Sequence, residues 1–206
     1  SQLISTPVLH THTFAVMSVA TKNLFGLLPV YRERYHNNLS HKLLDLAKEL
    51  KVFTIVDGTV GLQGGSMRMG TPVRTDILMS GWNPIAVDAI AARIMGFNIN
   101  DVPLLRTAKE IGALEDPEVA GDFTYENLPR HEFLFKKSIL SNADLWLRGN
   151  RITSGWFAHD SLLDRIGNRM RRRYTQYVYA KRWKKVAVGD WREYELSEGR
   201  EERTRL

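Results

Sequence analysis

The chain has no cysteine among its 206 residues. That excludes disulfides, thiolate-bound zinc and any iron–sulfur cluster ligated by this chain. No apolar run approaches the roughly 18 residues that suggest a membrane-crossing helix. No basic segment followed by an apolar one stands at the start, so no signal peptide is visible and a cytoplasmic location is expected. Acidic residues are missing from one stretch. Arg165 to Lys185 carries nine basic residues and no acid, whereas residues 190–206 carry six acids and four bases. Residues 1–164 are close to neutral, with 16 basic and 17 acidic side chains, so the net charge of +6 belongs to one C-terminal segment.

What is present is ordinary for a folded chain. Hydrophobic residues make up 43% and charged residues 25%, enough for one domain with a real core. Residues 3–9, LISTPVL, read as a strand with a proline near its end. AVMSVATKNLFGLL, residues 15–28, reads as either helix or turn. Residues 37–51 form an amphipathic pattern, with Leu39, Leu43, Leu46, Ala47 and Leu50 on one face and Asn37 or Asn38 as cap. VFTIVDG follows as a buried strand ending at Asp57-Gly58. Residues 58–76 then read as a glycine-rich loop, and TDILMSG as another strand.

Two further helices are signalled. The first, residues 83–97, has Asn83 as cap, Pro84 in its first turn and Gly96 as its end; it is apolar on nearly every side, which predicts burial. The second, residues 101–112, has Asp101 as cap and Gly112 as stop, with Leu104, Leu105, Ala108 and Ile111 as its apolar face. Helix alternating with strand over short connections predicts a layered α/β domain over residues 1–125. Only three or four strands are convincing, which with the Ser1 start leads us to expect an incomplete sheet. Residues 126–158 read as a connecting segment, 159–189 as a basic amphipathic helix stepping through Ile166, Met170, Tyr174 and Val178, and 190–206 as a charged, mobile tail.

Candidate chemistry falls at four places. Gly64 and Gly65 allow backbone N–H groups to converge on an anion, and Arg68 and Arg74 offer bidentate contacts to phosphate or carboxylate; the alternative is a surface loop. Asp88 lies in an apolar helix, where a carboxylate must meet a cation or several donors. Lys22, a histidine or Arg68 are the cations considered, and a structural hydrogen bond is the alternative. His10 and His12 share one face if the segment is extended, and could begin a divalent-metal site with Asp57 or His36. Either imidazole could instead act as acid or base, or simply bond to backbone. Lys22 either reaches the surface or turns into a pocket, Asn23 suits a turn, and His36 precedes a helix N-terminus, where an anion is favoured.

These residues fall in blocks that resemble the domain-of-unknown-function family numbered 362. The blocks are Pro7 to His12, Thr21 to Gly26, Tyr35-His36, Val56 to Gly58, Gly64 to Pro72 and Ser80 to Phe97, in the family's order. The resemblance covers roughly the first 115 residues. It implies one shared site lined by His12, Lys22, Asn23, His36, Asp57, Gly65 and Asp88. It also implies that further residues of the domain lie upstream. Relatives usually carry lysine where His10 stands, and many carry ferredoxin-type cysteine motifs that this chain lacks, so redox-linked chemistry would need a separate redox partner.

The first reading is therefore an α/β enzyme or ligand-binding domain for an anionic small molecule, with His12, Lys22, His36 and Asp88 as catalytic candidates. The second is a non-enzymatic module whose basic segment 165–185, with Tyr174, Tyr177, Tyr179 and Trp183 among its arginines, recruits nucleic acid, a membrane surface or a protein partner.

Overall fold

The spine of the domain is β4 (Val52–Gln63), whose first half alternates cleanly. Val52, Thr54, Val56 and Gly58 are buried, and the residues between them face the other way. The computed structural model describes residues 2–28, 38–64 and 70–135, together with Arg169 and Arg173. Along one edge of β4 the chain lays down β1 (Leu3–Ser5) and then β2 (Val8–His12), both parallel to it. Thr6-Pro7 separates these strands, which is where a residue without an N–H belongs. β2 turns through residues 13–15 into antiparallel β3 (Val16–Ser18). β5 (Thr71–Gly81) covers the opposite edge of β4, antiparallel to it. The result is a mixed five-stranded sheet with helices, an α/β fold.

Three corrections follow. The stretch 15–28 contains a strand, β3, before a single helical turn, α1 (Ala20–Asn23), and a 3-10 turn over Leu24–Leu27. The stretch 58–76 is mostly not a loop, because β4 continues to Gln63 and β5 begins at Thr71. Gly58 and Gly61 serve packing. A Cβ on Gly61 would lie 2.6 Å from Cζ of Phe133, and one on Gly58 2.8 Å from the Ile77 carbonyl oxygen. A register shift between Gly58 and Val60, with Asp76 at φ +52°, bends the hairpin there. The strand count is five rather than three or four because of these continuations.

The helices follow their sequence signals more closely. α2 (Leu39–Glu49) buries Leu43 and Leu44. Asn38 precedes it at φ +56° without a side-chain capping bond, so it turns the chain rather than caps it. α3 (Pro84–Ile94) has Asn83 accepting from the Ile85 and Ala86 amides, Pro84 in its first turn, and Gly96 at φ +82° just past its end. It is buried on nearly every side, as its composition demands. α4 (Pro103–Glu110) starts after Val102 rather than at Asp101, which sits in a preceding 3-10 turn. Leu104, Leu105 and Ala108 are buried, but Ile111 is exposed, one residue past the helix end.

These helices close over Leu9, Val56 and Ile77 to make one core, which also takes in Phe133. Residues 130–133 reach it by backbone bonds, His131 N–H to Ile94 O at 2.7 Å and Phe133 N–H to Met95 O at 3.0 Å. On the sheet's other face Ile4, Val8, Leu78 and Trp82 are exposed, with Trp82 tilted against Phe53 at 4.7 Å. The chain divides into units Ser1–His159 and Asp160–Leu206. The basic helix expected over 159–189 and the tail 190–206 lie outside the described residues, except that Arg169 and Arg173 are helical and exposed. Among the described residues no helix is long and apolar enough to cross a membrane.

Candidate functional site

β3 ends at Ser18, and the chain turns at once into α1, a helix of four residues. So short a helix is not stable alone. What holds it is Asp88, from the second turn of α3. Its Oδ1 accepts from the Ala20 amide at 2.7 Å and its Oδ2 from the Thr21 amide at 2.9 Å. The carboxylate thus satisfies two of the first orphan donors of α1. Burial pushes its pKa up to about 6, with the Thr21 and Ala20 donors pulling the other way. The sequence demanded a cation or several donors for Asp88, and the structure supplies donors. They are backbone groups, invisible as residue types.

One residue further on is Lys22. Its side chain is partly buried, with Nζ 5.1 Å from the centre of the Phe25 ring. No carboxylate partner for it is found among the described residues. Burial lowers its pKa to about 8. An ammonium over an aromatic face gains some cation–π attraction, but less than a carboxylate would give. The neighbour that feels its charge is His10, buried on β2. The His10 pKa is lowered, first by burial and further by Lys22, with its bond to the Thr11 carbonyl opposing. That bond, Nδ1 to Thr11 O at 3.2 Å, assigns the proton to Nδ1, since a carbonyl only accepts. Nε2 then carries the lone pair.

His12 has the opposite tautomer. Its Nδ1 accepts from the Phe14 and Ala15 amides at 3.2 and 3.4 Å, which leaves the proton on Nε2. It closes the β2–β3 turn, with its ring 5.8 Å from that of Phe14. Asn23 donates Nδ2–H to Ser5 Oγ at 2.9 Å, tying α1 to β1. Ser5 and Phe25 were not singled out from the sequence. Phe25 could have been, since it stands three residues after Lys22 and therefore on the same side of a helical turn.

The other candidates are placed elsewhere. Asp57 is exposed, and its Oδ1 accepts from both the amide and the hydroxyl of Thr59, at 2.9 and 2.7 Å, which lowers its pKa. Among the described residues no group of three His, Asp or Glu side chains is placed to hold a metal ion, so His10, His12 and Asp57 do not form a metal site by themselves. Gly64, at φ +99°, donates its N–H to Leu134 O at 3.0 Å, which occupies the amide expected to face an anion. Arg74 is paired with Asp76 at 2.7 Å, both more than half exposed, in a surface ion pair. Gly65, Arg68 and His36 lie outside the described residues.

The fold is that of an α/β protein in which a buried carboxylate, Asp88, anchors a one-turn helix bearing Lys22, a lysine with no carboxylate partner among the described residues. Residues 1–93 match the model of the family described as "Domain of unknown function (DUF362)". The match covers the blocks from Pro7 to Pro72 and the Ser80 block as far as Arg93, Asp88 included, and stops short of the 115 residues that the sequence resemblance suggested. No curated protein and no solved structure matches the chain.

Proposed function

We propose that this domain is an enzyme or ligand-binding protein for a small anion, a carboxylate or phosphate, received at the Lys22–His10 corner. The observation that carries the reading is Lys22, a partly buried ammonium with no carboxylate partner among the described residues and a pKa lowered to about 8. A desolvated charge without a counter-charge costs stability, and an incoming anion relieves that cost. In this reading Lys22 neutralises the ligand, and Nε2 of His10, held neutral by its surroundings, takes or returns a proton. Asp88 acts through α1: by fixing the Ala20 and Thr21 amides it sets where Lys22 stands. It is a positioning residue in this scheme rather than one that touches the ligand.

Calorimetric titration of the full chain with acetate and with inorganic phosphate tests this. Lys22→Gln should weaken binding by about tenfold or more, the ~1.5 kcal/mol of a charge-assisted hydrogen bond. Arg74→Gln should leave it unchanged, since Arg74 is engaged with Asp76. Equal binding by wild type and Lys22→Gln would refute the reading.

A further inference from the structure

We propose that the open face of the sheet is an interface between two copies of this chain, packed face to face about a two-fold axis that runs across the strands. β1, β2 and β4 are mutually parallel, and parallel strands are as a rule covered on both faces. Among the described residues the helices cover one face only. On the other, Ile4, Leu78 and Trp82 stand 61%, 77% and 61% exposed. Apolar side chains gathered on one face to this extent mark a contact surface.

The strand register shows that this face is complementary to itself. Ile4 of β1 lies beside Phe53, and Trp82, next after Gly81, tilts against Phe53 from the other side. Ile55 lies beside Ser80, and Val8 and Leu78 flank Asp57. The outward side chains of β4, with the residue before it, therefore read Lys51, Phe53, Ile55, Asp57: a cation, two apolar groups and an anion. A half-turn about an axis across the strands at Thr54 reverses that order. It sets Lys51 of each copy over the partner's Asp57, and Phe53 over the partner's Ile55. The charges then meet twice, once at each end, as an isologous contact requires. Neither Lys51 nor Asp57 has an ion-pair partner among the described residues. Both Thr59 bonds to Asp57 go to Oδ1, so Oδ2 can take a lysine.

The shapes agree with the charges. Lys51 lines a cleft of about 700 Å³ together with Gln2, Leu50, Val52 and Trp82. The same half-turn brings the partner's Val8 and Leu78, which flank Asp57, over that cleft. An exposed apolar pair thus meets a hollow with a tryptophan wall. Sheets packed face to face stand about 10 Å apart, a gap that a lysine and an aspartate side chain span between them.

The test is sedimentation velocity of the folded full chain at low salt over a range of concentrations. Wild type should pass from monomer to dimer as concentration rises. Lys51→Glu and Asp57→Lys each set like charges face to face at both ends, and each should weaken the dimer about tenfold or more. Mixed one to one, the two variants should associate as tightly as wild type, because every end contact in the mixed pair again joins a carboxylate to an ammonium. Leu78→Ser, at an exposed position that the fold itself does not need, should weaken the dimer without touching its charges. A wild-type chain that stays monomeric throughout would overturn the proposal and leave this face to another segment of the chain or to a different protein. A dimer that both charge reversals leave intact would overturn it too, as would a mixture no tighter than its components.

Discussion

Asp88 in α3 and Thr21 in α1 are joined directly, carboxylate oxygen to backbone N–H at 2.9 Å, although 67 residues separate them in sequence. The second oxygen takes the Ala20 amide at 2.7 Å. Removing the carboxylate leaves two buried donors unsatisfied. Asp88→Ala should therefore cost about 2–5 kcal/mol of unfolding free energy. Asp88→Asn, which keeps one acceptor, should cost less. Urea unfolding of the two variants checks the order.

The same contact makes stability depend on pH in a defined window. Burial raises the Asp88 pKa from 3.8 to about 6, so between those values the folded chain holds a proton that the unfolded chain has released. Stability from this group therefore falls as pH rises from about 4 to about 6 and is flat above. Asp57 works the other way, since its lowered pKa gives stability that is lost as pH falls through its folded value. The difference between wild type and Asp88→Asn isolates the first effect. That difference should change across pH 4–6; a constant difference would refute it.

Lys22 should lower the stability of the free protein. Below pH 8 its ammonium is charged in both states but desolvated only in the folded one. Between about 8 and 10.5 the unfolded chain alone holds the proton, so stability rises with pH there. Lys22→Met should therefore be more stable than wild type at pH 7, by about 1 kcal/mol once the part of the side chain that water still reaches is discounted. Thermal unfolding with no ligand added reads this directly.

Gly61 is a packing residue in a strand, not a hinge in a loop. Gly61→Val would drive its side chain into the Phe133 ring, which a Cβ alone already meets at 2.6 Å. Overpacking of this kind costs about 1–3 kcal/mol. Pairing the change with Phe133→Ala should recover part of the loss of Gly61→Val, because the ring is what the new side chain meets. Additive losses in the double variant would contradict that packing.

That glycine explains why part of the fold was hidden in the sequence. α3 was legible from end to end because its cap, its first-turn proline and its terminal glycine are local signals. β4 was legible only to Gly58, since a glycine in a strand reads as a break when its reason is a neighbour far along the chain. For Gly58 that neighbour is Ile77, and for Gly61 it is Phe133. β3 was hidden by its length of three residues. The site was legible by type but not by partner. Asp88 announced its need for donors, yet those donors are amides, which every residue carries. Lys22 and His10 were both marked as candidates, but the effect of the Lys22 charge on His10 arises only in the folded chain.

The central claim is that Lys22, which has no carboxylate partner among the described residues, takes up an anion. Its pKa, followed by NMR at the carbon next to Nζ with and without saturating acetate, tests this most directly. The account predicts about 8 in the free protein and a rise toward the ordinary lysine value of roughly 10.4 when acetate is bound. An ordinary value in the free protein, or a low one that acetate does not move, would contradict it.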